Sequence, residues 1–497
     1  MTTENQETPS QPQKNSRPTL LRNWLSLTGL VIVTGSLFSF FFLVVMDLMA
    51  HNPNPYVGIL TYVVAPGFLG LGVFLTVVGV LLERRKRGKS VALLPIMTVD
   101  LSRPRDRRRM AIFVTATVVF LLVSAIGSYQ SYHISESTQF CGQACHTVMK
   151  PELITYLHGP HARVSCVECH IGPGAEWFVK AKISGTYQLY AVAFNKYPRP
   201  VPTPIHNLRP AQETCEQCHW PKKFVGNLDR TYNYFLGDET NTPYSIRLTM
   251  KVGGADATHG PVGGIHWHMN VGNKVSYLPA DETRQKIPWV RIVDEQGVVT
   301  EFRTKGFTNK VDETRVRTMD CMDCHNRPAH RYMSPNKAVN LAMSMGQIDP
   351  SIPWIKTNAI FVLTGEYKDE TEALQNIATH LDSQYPGDSR VKKAITVVQQ
   401  IYRDNFFPEM NAAWNKYPDN IGHFIWTGCF RCHDGNHKTA DGKRSIKASD
   451  CNTCHTILAQ GSGAQLDMLS PAGQQFVHPG DEIDSSQLCN ECHDGTF

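Results

Sequence analysis

All 14 cysteines of this 497-residue chain fall into seven pairs, and each pair is followed at once by a histidine. Six read Cys-x-x-Cys-His: Cys166, Cys169 and His170; Cys215, Cys218 and His219; Cys321, Cys324 and His325; Cys429, Cys432 and His433; Cys451, Cys454 and His455; Cys489, Cys492 and His493. The remaining pair, first in the chain, is Cys141-Gly-Gln-Ala-Cys145-His146, with one more residue between the thiols. Two thiols at this spacing reach the two vinyl groups of a haem, and the adjacent imidazole then lies beneath the iron. A zinc ribbon also uses Cys-x-x-Cys, but it needs a matching second half and has no use for a histidine after every pair. Disulfides suit an oxidising compartment, yet a chain this long builds ordinary cores without seven vicinal bridges. The pattern therefore predicts seven covalent haems, with His146, His170, His219, His325, His433, His455 and His493 as axial ligands.

The other 13 histidines can supply the opposite axial positions. His161 lies five residues before Cys166, His206 sits in the proline-stiffened PTPIHNLRP, and His330 follows His325 by five. His423 and His437 flank the fifth motif, His478 precedes the seventh, and His266 and His268 alternate with Trp267, so that on a strand they would share a face. These eight are the distal candidates. His158 competes with His161, while His51, His133, His259 and His380 read as ordinary histidines.

Charge is strongly segregated along the chain. Residues 24–82 hold no Lys or Arg and one acid, Asp47, whereas Arg84 to Arg109 holds ten basic residues against Asp100 and Asp106. Apolar runs at 24–50, 57–82 and 110–129 each reach the length of about 20 residues that crosses a hydrocarbon core. The first run exceeds a signal-peptide core and lacks a small-residue cleavage site after Met49. The basic loop 83–110 belongs in the cytoplasm by the positive-inside rule, with residues 1–23 on the same side and everything after Tyr129 outside. Tethered between two spans, that loop suits anionic headgroups rather than nucleic acid.

Beyond the spans, haem motifs cluster at 130–231 and 421–497, with the fourth motif at 321–335 between them. Residues 232–320 read as a β-rich insertion, with strands in YSIRLTMKV (244–252) and on both sides of Asp294-Glu295-Gln296-Gly297. Residues 336–420 turn helical: NKAVNLAMSM, TEALQNIATHL and SRVKKAITVVQQIY carry apolar residues at three- and four-residue spacings. The expected architecture is a three-helix transmembrane anchor over 24–129. It carries a haem-packed multihaem cytochrome c domain, mostly α and irregular, with the small β-rich insertion.

CGQACHTVMKPE, HARVSCVECHIGPGAEWFVKAKISGTYQLY and CEQCHWP, within roughly 110–220, resemble the NapC/NirT family of membrane-anchored multihaem cytochromes. Seven motifs and three spans make the whole chain resemble the heptahaem inner-membrane cytochromes of metal-reducing bacteria. The resemblance implies a quinol dehydrogenase of the inner membrane. Such a protein passes electrons from the quinone pool, as menaquinol, through the haems to periplasmic c-type cytochromes or a reductase in anaerobic or extracellular respiration. It also implies a quinol site beside the first haem, at the membrane edge, with Lys180, Lys182 and Gln188 in the matching segment, and Met149 as a ligand of that haem. Here the first motif is longer than the family's, and Gln188 stands where the family has an acid. The aromatic residues and lysines of 174–194 suit a headgroup boundary, although an ordinary amphipathic packing helix would share the pattern. Two other functions fit the motifs: a terminal reductase that binds nitrite, hydroxylamine or a similar oxidant at an open iron, and a passive relay fed by a partner membrane complex. Intact mass checks the stoichiometry. Seven haem additions are expected, and six with free thiols at Cys141 and Cys145 would refute the reading of the longer motif.

Overall fold

The computed structural model describes residues 24–49, 61, 64–86, 102–144, 146–172, 175–205, 208–220, 224, 226–253, 263–269, 272–447, 453–480, 483 and 487–496. Two compact units divide the chain, Met1–Phe140 and Cys141–Phe497.

The first unit contains α1 (Trp24–Met49), α2 (Ala65–Lys86) and α3 (Pro104–Ser135). Trp24–Val45 and Ala65–Glu83 are each long and apolar enough to cross a membrane. Small residues let α1 and α2 approach closely. A Cβ added to Gly29 would lie 2.5 Å from the backbone nitrogen of Thr76, and one on Gly72 would lie 2.8 Å from that of Val33. Helices that associate in lipid pack through such small-residue seams, because there the hydrophobic effect does not drive helix against helix. The third apolar run lies within α3, whose first turn carries Arg105 and Arg107 behind Pro104. Phe120 of α3 meets Phe40 of α1 edge-on, with ring centroids 5.2 Å apart. Phe38, Phe74, Leu122 and Ile126 are exposed, the kind of apolar surface that lipid would cover. The tail 1–23, expected on the cytoplasmic side, and most of the basic loop lie outside the described residues.

The second unit begins with α4 (His146–Leu157) and α5 (Ala175–Ala193). Its strands are β1 (Leu228–Phe235), β2 (Pro243–Met250), β3 (Lys274–Leu278), β4 (Trp289–Val293), β5 (Val299–Arg303), β6 (Arg317–Thr318) and β7 (His455–Gly461). One sheet has the order β5-β4-β3-β6, around a small core of Val275, Tyr277, Val290 and Phe302. The β4–β5 hairpin turns at Asp294, whose Oδ1 accepts from Gln296 N and Val298 N, and at Gly297 with φ +79°. The other sheet has the order β1-β2-β7. The β-rich segment is thus not closed on itself, because a strand beginning at the histidine of the sixth motif completes it.

Four helices form the largest apolar core: α6 (Pro335–Ser344), α7 (Ile355–Leu363), α8 (Glu370–Gln384) and α9 (Ser389–Asn405). Ser334, Asp369 and Asp388 cap α6, α8 and α9 by accepting hydrogen bonds from backbone N–H groups of the first turn. Val339, Ile355, Ala359, Ile377, Leu381, Val391 and Val398 meet inside. The helix α7 has no such signature: Trp354 precedes it with φ 59° and no capping side chain.

Asn241, buried in the β1–β2 turn, ties that hairpin to the helices. Its Nδ2 donates to Pro350 O and Ile352 O at 3.0 and 2.8 Å, and its Oδ1 accepts from Lys356 N. Lys356 Nζ donates in turn to Phe235 O. Burial depresses the Lys356 amine from 10.5 to about 8. Between those values the unfolded chain holds a proton that the folded one has released, so stability rises with pH across this window. Lys356→Met should remove the rise, worth up to about 3 kcal/mol. Thermal melts of both proteins at pH 8 and pH 10 provide the check.

Candidate haem sites

Six of the seven motif histidines face a second imidazole. Ring centroids are 6.2 Å apart for His170–His330, 6.1 Å for His161–His219, 6.3 Å for His266–His325, 5.9 Å for His268–His433, 6.2 Å for His423–His455 and 6.0 Å for His478–His493. An iron held between two imidazole nitrogens at roughly 2 Å from each sets the centroids about 6 Å apart. The six pairs therefore have the spacing that bis-histidine haem ligation requires.

Hydrogen bonds orient several of these rings. The Nδ1 atoms of His161, His266, His268 and His330 lie 3.1, 2.8, 2.9 and 2.9 Å from the carbonyls of Pro328, Val252, Ile265 and Glu152. An Nδ1–H that donates to a carbonyl leaves the Nε2 lone pair for a metal. Burial pushes His170, His266, His268, His325, His330, His423, His433 and His455 below their ordinary pKa, which favours the neutral, ligating form. Burial likewise pushes the Cys324 and Cys432 thiols up to about 12.

The segments that present the rings are short and held from outside. Tyr156 Oη donates to Ala162 O and Val164 O, fixing the loop that carries His161. His266 and His268 do not lie on a strand. They occupy a 3₁₀ turn, Ile265–Met269, and the tighter winding sends them to different motifs, His325 and His433. At the fourth motif, Asp320 and Asp323 form a reciprocal capping box that starts the short helix Cys321–Cys324. Arg431, inside the fifth motif, donates from Nη2 to Asp323 O and from Nη1 to Arg284 O, joining the fourth and fifth motifs. The short helices Ala211–Cys215 and Cys321–Cys324 touch, so the third and fourth motifs are also neighbours. None of the 12 described cysteines is joined in a disulfide.

One distal candidate is otherwise engaged. His437 is buried, with Nδ1 3.0 Å from Asp434 Oδ1 and Nε2 2.6 Å from Ile287 O, so both ring nitrogens serve the fold. The exposed His158 lies 4.0 Å from Asp404 and faces none of the motif histidines whose side chains are described. Met149 is half-buried on α4, one turn beyond His146. His206, Cys145, Cys451 and the side chains of His146 and Lys182 lie outside the described residues. Lys180 and Gln188 are exposed on α5, where Gln188 Nε2 donates to Ser184 Oγ. Ile183, Tyr187 and Tyr190, with Phe194 just beyond the helix, recur every three or four residues as an exposed stripe, so this face is not packed inside the unit.

A family model described as the NapC/NirT cytochrome c family, N-terminal region, matches residues 103–201. Cytochrome c-type protein ImcH of Geobacter sulfurreducens is 41% identical over 495 residues, 95% of each chain. This chain belongs to the NapC/NirT family of membrane cytochromes. No solved structure matches it. Membership in a cytochrome c family brings covalently bound c-type haem, and the thiol pairs and facing imidazoles fit that group. In this NapC/NirT protein, His266→Leu should add one high-spin haem by removing the imidazole opposite His325, whereas His437→Gln should add none. Low-temperature electron paramagnetic resonance distinguishes the two.

Proposed function

We propose that the chain is a quinol dehydrogenase of the bacterial cytoplasmic membrane. It takes electrons from menaquinol and passes them through seven c-type haems to periplasmic c-type cytochromes or a reductase, in anaerobic or extracellular respiration. The observation that carries this reading is the set of six facing imidazole pairs. Two axial histidines occupy both faces of an iron, which suits electron transfer and leaves no face for a substrate oxidant. Bound haems would supply one-electron carriers. The chain's part is to hold, bury and orient them, with three spans anchoring the protein, the N-terminus cytoplasmic and residues 130–497 periplasmic.

Quinol would reach α5, whose aromatic stripe beside Lys180 is the pattern of a headgroup boundary, where rings lie flat and lysines extend to water. Lys180 and Lys182 orient a quinol oxygen by hydrogen bonding. Gln188 contacts the quinol without taking its proton, since an amide is no base. Two protons leave to the periplasm for every two electrons delivered singly. The combined Lys180→Ala and Lys182→Ala variant should slow reduction of the haems by menaquinol by about tenfold or more. Reduction by dithionite and the haem spectra should stay unchanged. Stopped-flow spectroscopy makes the comparison; an unaltered quinol rate rejects the site. Failure of the isolated wild-type protein to oxidise quinol at all supports the passive relay instead.

A further inference from the structure

The six imidazole pairs differ in what stands behind them. His330, opposite His170, is backed by Glu152: its Nδ1 lies 2.9 Å from the Glu152 carbonyl and 3.1 Å from the Glu152 carboxylate. Glu152 is held there by Arg327 Nη2, 3.4 Å from each carboxylate oxygen, and by the Tyr332 hydroxyl at 3.2 Å. Arg327 is fixed in turn over the Tyr417 ring at 4.1 Å and by a hydrogen bond from Nε to His330 O. Its positive charge offsets part of that of Glu152.

An acceptor on Nδ1–H makes an imidazole a stronger donor to its metal, and an anionic acceptor does so most. A stronger donor favours ferric over ferrous iron. We propose that Glu152 lowers the reduction potential of the His170–His330 site. This rests on the electron-transfer reading above and assigns the residue that sets one of its potentials. Glu152 acts through His330 and is a positioning residue.

Full-length, haem-loaded protein in detergent is titrated with a reductant while visible and electron paramagnetic resonance spectra are recorded. Glu152→Gln keeps the neighbouring Arg327 and Tyr332 satisfied but removes the charge. One step should move to higher potential, with the other steps in place and haem content unchanged. A second variant, His330→Met, weakens the same ligand without touching Glu152, and it should move the same step. The proposal is overturned if Glu152→Gln leaves every step where it was, or if His330→Met moves a different step. If the wild-type protein instead shows several high-spin haems, the paired-imidazole reading of the function fails, a result separate from the potential of this one site.

Discussion

Six gaps of haem width, each bounded by two imidazoles, hold the second unit together. The partners are often distant in sequence: His170 meets His330, His268 meets His433 and His161 meets His219. A ligand bond that bridges such intervals closes long loops, and loop closure is the entropic cost that ordinary cores meet with apolar area. The division of labour is visible in the packing. Regular apolar cores occur in α6–α9 and in the β3–β6 sheet, while the motif-bearing stretches are short turns whose order depends on hydrogen bonds and on the groups they ligate. Residues such as Arg431 and Asp323, buried between the fourth and fifth motifs, secure the backbone there.

The membrane unit solves a different problem with different residues. Gly29, Gly72 and Gly79 remove side chains where α1 and α2 meet, because in lipid close backbone contact must supply what water would supply elsewhere. Long aromatic and aliphatic side chains remain on the outside. An anchor of this kind and a haem-bearing unit in one chain suit a protein whose electron source is confined to the bilayer and whose acceptors are not.

Much of this was legible in the chain itself, for identifiable reasons. Haem attachment is local, five residues long and chemically demanding, so the motifs can be read directly. The helices α6, α8 and α9 announced themselves by apolar spacing. The helix α7 did not, since it is apolar on most sides and starts from a left-handed Trp354 rather than a cap. The strand β7 was hidden because its partner, β2, lies some 200 residues upstream. Distal histidines were the hardest part. Proximity to a motif favoured His437, yet it forms an i, i+3 contact with Asp434 and closes on Ile287. The choice of His330 for His170 is a tertiary fact that no local pattern carries. A signal was nonetheless present in Ile265–Met269: two histidines flanking one tryptophan, far from any motif, have no local role to explain them.

That same turn couples two sites. Its two rings, separated by a single residue, serve the fourth and the fifth motifs. A change that shifts this turn therefore moves a ring at both sites, so through it the fourth and fifth motifs cannot be altered one at a time.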